Sequence, residues 1–156
     1  MEKLTTVVLA AGEGKRMKSD TPKVLHQICG RSLLGHVLAA VDKASQKKIV
    51  VIGHGADKVK AAFGESVGYA YQREQLGTGH AVMQAAAEIP RSGDVFVLCG
   101  DTPLLSAEVM EEMRQTHKQA GMAATVLTAV VPDAYGYGRI IRSHSGEVQK
   151  IVEEKD

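Results

Sequence analysis

Short apolar runs rich in β-branched residues alternate along the chain with stretches of helical periodicity, the pattern of an α/β fold whose mostly parallel sheet carries helices on both faces. Thr5 to Ala10 reads as a first strand. Leu33, Leu34, Val37, Leu38 and Val41 recur at three- and four-residue spacing and give the first long helix a core-facing stripe. Lys48 to Gly53 reads as the second strand, Asp57 to Phe63 as a short helix and Val67 to Tyr71 as the third strand. A polar loop follows, then a helix from Thr78 to Ala87 that a threonine cap would start, and Asp94 to Leu98 as the fourth strand. Ser106 opens another helix reaching Ala120, and the nearly continuous apolar run Ala123 to Val130 predicts a further strand ending at Pro132. Gly136 and Gly138 then flank a turn, and Arg139 to Arg142 with Glu147 to Glu153 around Gly146 predict a hairpin.

A chain of 156 residues, 44% hydrophobic and 24% charged, can bury one core, so one domain or most of one is expected. It stops at Glu154-Lys155-Asp156 with no element to close the hairpin region, as expected of a chain cut short. Lysine and arginine number 19 against 18 acidic residues, so nothing in the global charge points to a nucleic-acid or membrane partner. Any anion site must be local. The run Val7 to Ala11 is far shorter than the ~20 apolar residues of a membrane helix and carries no cleavage pattern, which predicts a cytoplasmic protein. Cys29 and Cys99 match no paired metal-ligand spacing and are expected to be small buried packing residues in a reducing compartment. The histidines, His26, His36, His54, His80, His117 and His144, form no ligand pair at helical spacing and are expected to be structural or exposed.

The local anion site is the glycine loop after the first strand, Leu9-Ala10-Ala11-Gly12-Glu13-Gly14-Lys15-Arg16-Met17. Open α/β sheets bind ligands beyond their strand carboxyl ends, small residues let backbone amides approach phosphate oxygens, and Arg16 and Lys23 add positive charge. As solvated surface cations the same two side chains would do nothing. A Walker loop is excluded, because Leu9 and Arg16 stand where it needs a glycine and a serine or threonine. The dinucleotide pattern fails at Met17, where it needs glycine or alanine. Asp101 follows an apolar strand and a glycine, so its carboxylate is expected at the sheet's carboxyl edge, as a magnesium ligand or equally as a turn residue before Thr102-Pro103.

The loop and its continuation Pro22-Lys23-Val24-Leu25-His26 resemble the L-A-A-G-x-G-x-R-M … P-K of sugar-1-phosphate nucleotidylyltransferases, and most closely the bacterial N-acetylglucosamine-1-phosphate uridylyltransferases. Gln72-Arg73-Glu74-Gln75-Leu76-Gly77-Thr78-Gly79-His80-Ala81 is similar to that family's uracil and ribose loop, and Cys99-Gly100-Asp101-Thr102-Pro103-Leu104 to its metal-binding turn. Tyr137-Gly138-Arg139-Ile140 and Ile151-Val152-Glu153 resemble its sugar-binding segment. Two departures, Lys15 for threonine and Cys99 for tyrosine, remove nothing that the chemistry requires.

The resemblance implies a Rossmann-like nucleotide-diphospho-sugar transferase fold and the amino-terminal part of a bifunctional uridylyltransferase and acetyltransferase. It implies transfer of uridylyl from UTP to N-acetylglucosamine 1-phosphate, giving UDP-N-acetylglucosamine and pyrophosphate for peptidoglycan and lipopolysaccharide precursors. Arg16 and Lys23 are implied as catalytic, and Leu9, Ala10, Ala11, Gly12, Lys23, Gln72, Gly77, Thr78, Gly100 and Asp101 as nucleotide-binding. Asp101 is implied to hold Mg2+, and Gly138 and Glu153 to bind the sugar. Such enzymes continue into a left-handed β-helix that makes them homotrimers; no hexapeptide repeat occurs in this sequence, so no acetyltransferase site is assigned. Taken by itself the chain is expected to be inactive or weakly active. The rivals are a cytidylyl or guanylyl transferase of the same fold and a non-catalytic nucleotide-sugar binding module.

Overall fold

The computed structural model describes residues 3–153, apart from the side chain of Lys15, so that departure from the family's threonine lies outside the described residues. The chain divides into two compact units, residues 1–121 and 122–156.

In the first unit, strand β1 (Leu4–Leu9) is the hub. Its β-branched residues Thr5, Thr6, Val7 and Val8 suit a strand buried on both faces, and all four are buried. A two-residue hairpin of β2 (Gln27–Ile28) and β3 (Arg31–Ser32) leads into α1 (Leu33–Val41), started by Ser32, whose Oγ accepts from Gly35 N at 3.1 Å. β4 (Lys47–Ile52), α2 (Ala56–Phe63), β5 (Gly68–Tyr71), α3 (Thr78–Gln84), β6 (Asp94–Cys99) and α4 (Ala107–Ala120) complete the unit. The sheet runs β5-β4-β1-β6 with every pairing parallel.

Alternation along the strands sorts the core into two layers. Leu4 and Val8 of β1, Val50 and Ile52 of β4, and Phe96 and Leu98 of β6 pack against Leu34, Val37, Leu38 and Val41 of α1, Val59 of α2 and Met110 of α4. The other face joins Val7, Ala11, Ile49, Val51 and Ala70 to Ala81 of α3 and to Ala85 just past its end. Each buried valine or leucine contributes about 1.5–3 kcal/mol, so the first layer, which secures three helices to three strands, is the stronger anchor. The α3 face is thinner: Val95 and Val97 of β6 are 40% and 47% exposed on it.

Several expectations need correction. Ala123 to Val130 forms no strand: it lies in the second unit with no ladder partner among the described residues, and Val126, Leu127 and Val130 are exposed. Apolar continuity signals strand propensity, but only a partner makes a strand. Thr78 does not cap α3. Gly77 is the cap residue, the Thr78 side chain makes no capping bond, and the helix ends at Gln84 before a 3-10 turn at Ala86–Glu88. Neither cysteine is buried. Cys29 sits with Gly30 in the β2–β3 turn, both at positive φ as a two-residue hairpin demands. Cys99 ends β6 on the thinly covered side.

The second unit contains the expected hairpin, β7 (Arg139–Arg142) antiparallel to β8 (Val148–Val152), with Gly146 at φ +88° in its turn. No helix of the described residues is long and apolar enough to cross a membrane.

Candidate active site

The chain lays β4 and β5 on one side of β1 and then returns to lay β6 on the other, so the order reverses between β1 and β6. Open parallel sheets bind ligands beyond the carboxyl ends of their strands at this reversal. A cavity of about 770 Å³ opens there, between Leu9 at the end of β1 and Cys99 and Asp101 at the end of β6.

One wall is the glycine loop. Leu9, Ala11, Gly12 and Arg16 line the cavity, joined by Gly14 and Met17. Ala10 does not: it is buried and packs into the larger core layer, so only its backbone is available to a ligand. The loop is tied down where it leaves the sheet. Ala10 N donates to Val51 O at 2.9 Å, and Ala11 O accepts from Gln75 Nε2 at 3.0 Å. Gly14 turns the chain at φ +62°, and a Cβ there would lie 2.8 Å from Lys23 Cβ, so only glycine lets the Lys23 stem pass this close. Arg16 is exposed on the 3-10 turn Lys15–Met17 and makes no hydrogen bond or ion pair among the described residues.

Across the switch point, Gly100 N donates to Leu9 O at 2.9 Å, and a Cβ on Gly100 would sit 3.0 Å from that oxygen. Gly100 is thus buried behind the cavity, a spacer that lets β6 turn against β1. Thr102 Oγ1 closes the turn by donating to Cys99 O at 2.8 Å, and Asp101 emerges on the wall, where its Oδ2 accepts from Lys23 Nζ. The side chain that closes the turn is thus that of Thr102, while the Asp101 carboxylate faces Lys23. Although Cys99 is exposed at the surface, partial desolvation of its thiol at the cavity wall, reinforced by the Asp101 carboxylate and only partly offset by Lys23, raises it above its ordinary value.

The opposite wall is built on β5 and α3. Gln72, Gly77 and Thr78 line it, with Gln75 and Ala81. Gln72 is only 4% exposed, and its Nε2 donates to Gly77 O at 3.1 Å while lying 3.2 Å from His80 Nδ1. His80 and Gln75 are contributions that sequence reading missed. His80 and Gln84 stand one helical turn apart, a spacing visible in the sequence, but nothing there says which glutamine the ring faces. Gly138 and Glu153 meet in the second unit, where a Cβ on Gly138 would lie 3.2 Å from Glu153 Oε2.

For a divalent ion, Asp101 is the acidic side chain on the cavity wall, and no group of three or more His, Cys, Asp or Glu among the described residues could hold a metal. One carboxylate, already holding the Lys23 ammonium beside open space, suits a hard ion that takes its other ligands from phosphates and water better than a transition metal that needs a protein cage.

Comparison with known proteins agrees with this geometry. The chain is similar over its whole length to the bifunctional protein GlmU of Heliobacterium modesticaldum, at 54% identity, and to that of Brevibacillus brevis, at 53%, and spans 34% of each. It covers about a third of the curated relatives it matches. Among solved structures, HddC of Yersinia pseudotuberculosis, complexed with GMP-PN, superposes on 99% of this chain and 70% of its own with TM-score 0.70 and 25% identity. A nucleotidyl transferase from Methanothermobacter superposes on 72% of this chain and 57% of its own with TM-score 0.64 and 23% identity, a likeness of fold. The sequence pattern of the MobA-like NTP transferase domain matches residues 6–141, and the chain belongs to that family.

Proposed function

We propose that this chain forms the nucleotide site of a uridylyltransferase that joins UTP to N-acetylglucosamine 1-phosphate with release of pyrophosphate. The observation that carries the reading is the cavity at the β1–β6 switch point, with unpaired Arg16, Lys23 and Asp101 on one side and the buried Gln72 amide on the other. The likeness to GlmU proteins supports the choice of nucleotide and sugar.

In the proposed reaction a phosphate oxygen of the sugar phosphate attacks the α-phosphorus of UTP, and pyrophosphate leaves in line. The nucleophile is already an anion, so no general base is needed, and catalysis rests on positioning and charge neutralisation. Arg16 has no protein partner to give up and is the first cation available to the phosphates. The glycine loop lets its backbone approach them, and a Cβ position on Gly12 meets nothing within 4 Å. Lys23 turns from Asp101 to a phosphate oxygen, which frees that carboxylate. Mg2+, held by Asp101, would neutralise charge on the phosphoryl oxygens when bound. Gln72 and the backbone of Gly77 and Thr78 meet the base and ribose. With one carboxylate on the described wall, ion placement depends on substrate, so this chain by itself is expected to bind uridine nucleotide and turn it over slowly.

The test is pyrophosphate release from UTP and N-acetylglucosamine 1-phosphate across a magnesium series, with Asp101→Asn in parallel. Magnesium-dependent release that the variant loses while keeping its melting temperature is expected. Nucleotide binding with no release at any magnesium level would instead favour a binding module.

A further inference from the structure

We propose that His80 is a positioning residue that commits the Gln72 amide to one orientation and thereby makes the cavity select uracil over cytosine. The inference rests on the reading of Gln72 as the base-contacting side chain. A glutamine amide has two N–H donors and one carbonyl acceptor, and which end faces a ligand decides what the ligand must offer. Here the choice is made by chemistry. Gly77 O can only accept, so the Gln72 atom 3.1 Å from it must be the nitrogen. The same nitrogen lies 3.2 Å from His80 Nδ1, which must therefore present its lone pair. Both amide hydrogens are then used, one on Gly77 O and one on His80.

Only Oε1 of Gln72 is left for a ligand. It accepts no hydrogen bond among the described residues, and the fully buried side-chain polar atoms without a partner belong to His26, Asp94 and Arg114, so Oε1 keeps access to the cavity that Gln72 lines. A lone acceptor matches the N3–H of uracil. Cytosine presents a lone pair at N3, and two acceptors repel.

The same contacts fix the histidine as well. With Nδ1 accepting, the ring is the neutral tautomer protonated on Nε2, and that N–H needs an acceptor. Gln84, one turn along α3, lies 3.0 Å from Nε2. Its amide nitrogen as placed also reaches His80 O at 3.3 Å. These two roles conflict, because the atom facing an Nε2–H must be an oxygen. The proposal therefore requires the half-buried Gln84 to turn over and give up its bond to His80 O, which at 3.3 Å is longer than the 3.1 Å bond that holds Gln72 to Gly77 O. Gln84 Oε1 then accepts from His80 Nε2, and a relay from Gln84 through His80 to Gln72 holds the acceptor in place.

Removing the ring frees one amide hydrogen, and Gln72 can turn an N–H toward the base. The test measures dissociation constants for UTP and CTP by calorimetry on the whole chain, for the parent, His80→Leu, His80→Asn and Gln72→Leu. His80→Leu should lower the UTP-over-CTP preference about tenfold, because one fixed hydrogen bond is at stake. His80→Asn, whose side-chain oxygen can replace the Nδ1 lone pair, should restore most of it, while pyrophosphate affinity stays within twofold in both. A preference lost in Gln72→Leu but unchanged in His80→Leu would overturn the role of His80 and leave the base reading standing. A preference unchanged in Gln72→Leu would overturn both. Long-range nitrogen–proton NMR of the parent protein provides a check free of variant folding: an Nε2–H tautomer at His80 supports the proposal, and an Nδ1–H tautomer overturns it.

Discussion

The two walls of the cavity are built in opposite ways. On the β5–α3 side the functional amide is buried, every donor on it is used, and its neighbours are backbone and a helix. On the loop side, among the described residues, Arg16 is exposed and unpartnered, and Lys23 and Asp101, 36% and 29% exposed, hold only each other. Hydrogen bonds discriminate only when misplaced groups have no water to fall back on, which suits the buried wall to the base contact proposed for it. Charge acts over longer distances and tolerates movement, so the phosphate wall can be exposed.

That contrast is easiest to break with Arg16→Ala. Charge stabilisation at a phosphoryl centre is typically worth ~3 kcal/mol, so kcat/KM for pyrophosphate release is expected to fall roughly a hundredfold or more while the melting temperature stays put. Parallel losses of activity and stability would mean that the exposed arginine is structural after all. Gly53→Ala acts on both walls at once. A Cβ there would lie 2.9 Å from Gln72 O and 3.0 Å from both Ala11 Cβ and Ala11 O, all close to backbone that cannot yield. Unfolding in urea is expected to show a loss of about 1–3 kcal/mol, with weaker UTP binding. The smallest effect belongs to Lys23→Met. Solvent screens its pair with Asp101, so stability should move by less than about 1 kcal/mol, whereas calorimetric UTP affinity should drop. A larger stability change would make the pair a structural clamp.

The loop wall was legible in the sequence because its parts are consecutive: a buried strand, small residues, then cations. The α1 stripe was legible for a similar reason, since Leu33, Leu34, Val37, Leu38 and Val41 are all buried as their periodicity required. The base wall was only half legible. Gln72 and Gly77 stood out by resemblance, but the ring at His80 acquires its task from a carbonyl and an amide brought together by folding. The same limit explains Ala123 to Val130, where propensity was visible and the partner was not. It explains Thr78 too: Gly77, at φ +96°, can take the conformation that starts the helix, so the threonine falls one place inside. Cys99 looked like packing because β6 is apolar, yet its alternate residues face the thinly covered side of the sheet.

The contact between Lys23 and Asp101 makes the resting cavity its own counter-ion reservoir. On the proposed reading, an incoming magnesium nucleotide does not add opposite charges to bare ones; it swaps partners, the ion taking the carboxylate and the ammonium taking a phosphate. Such an exchange leaves the number of ion pairs nearly constant or larger, and it ties the two arrivals together. Magnesium without a polyphosphate would send the ammonium out to water, and a polyphosphate without magnesium would leave the carboxylate beside its own negative charge. On that reading each ligand eases the arrival of the other, by no more than the small amount that an exposed ion pair is worth.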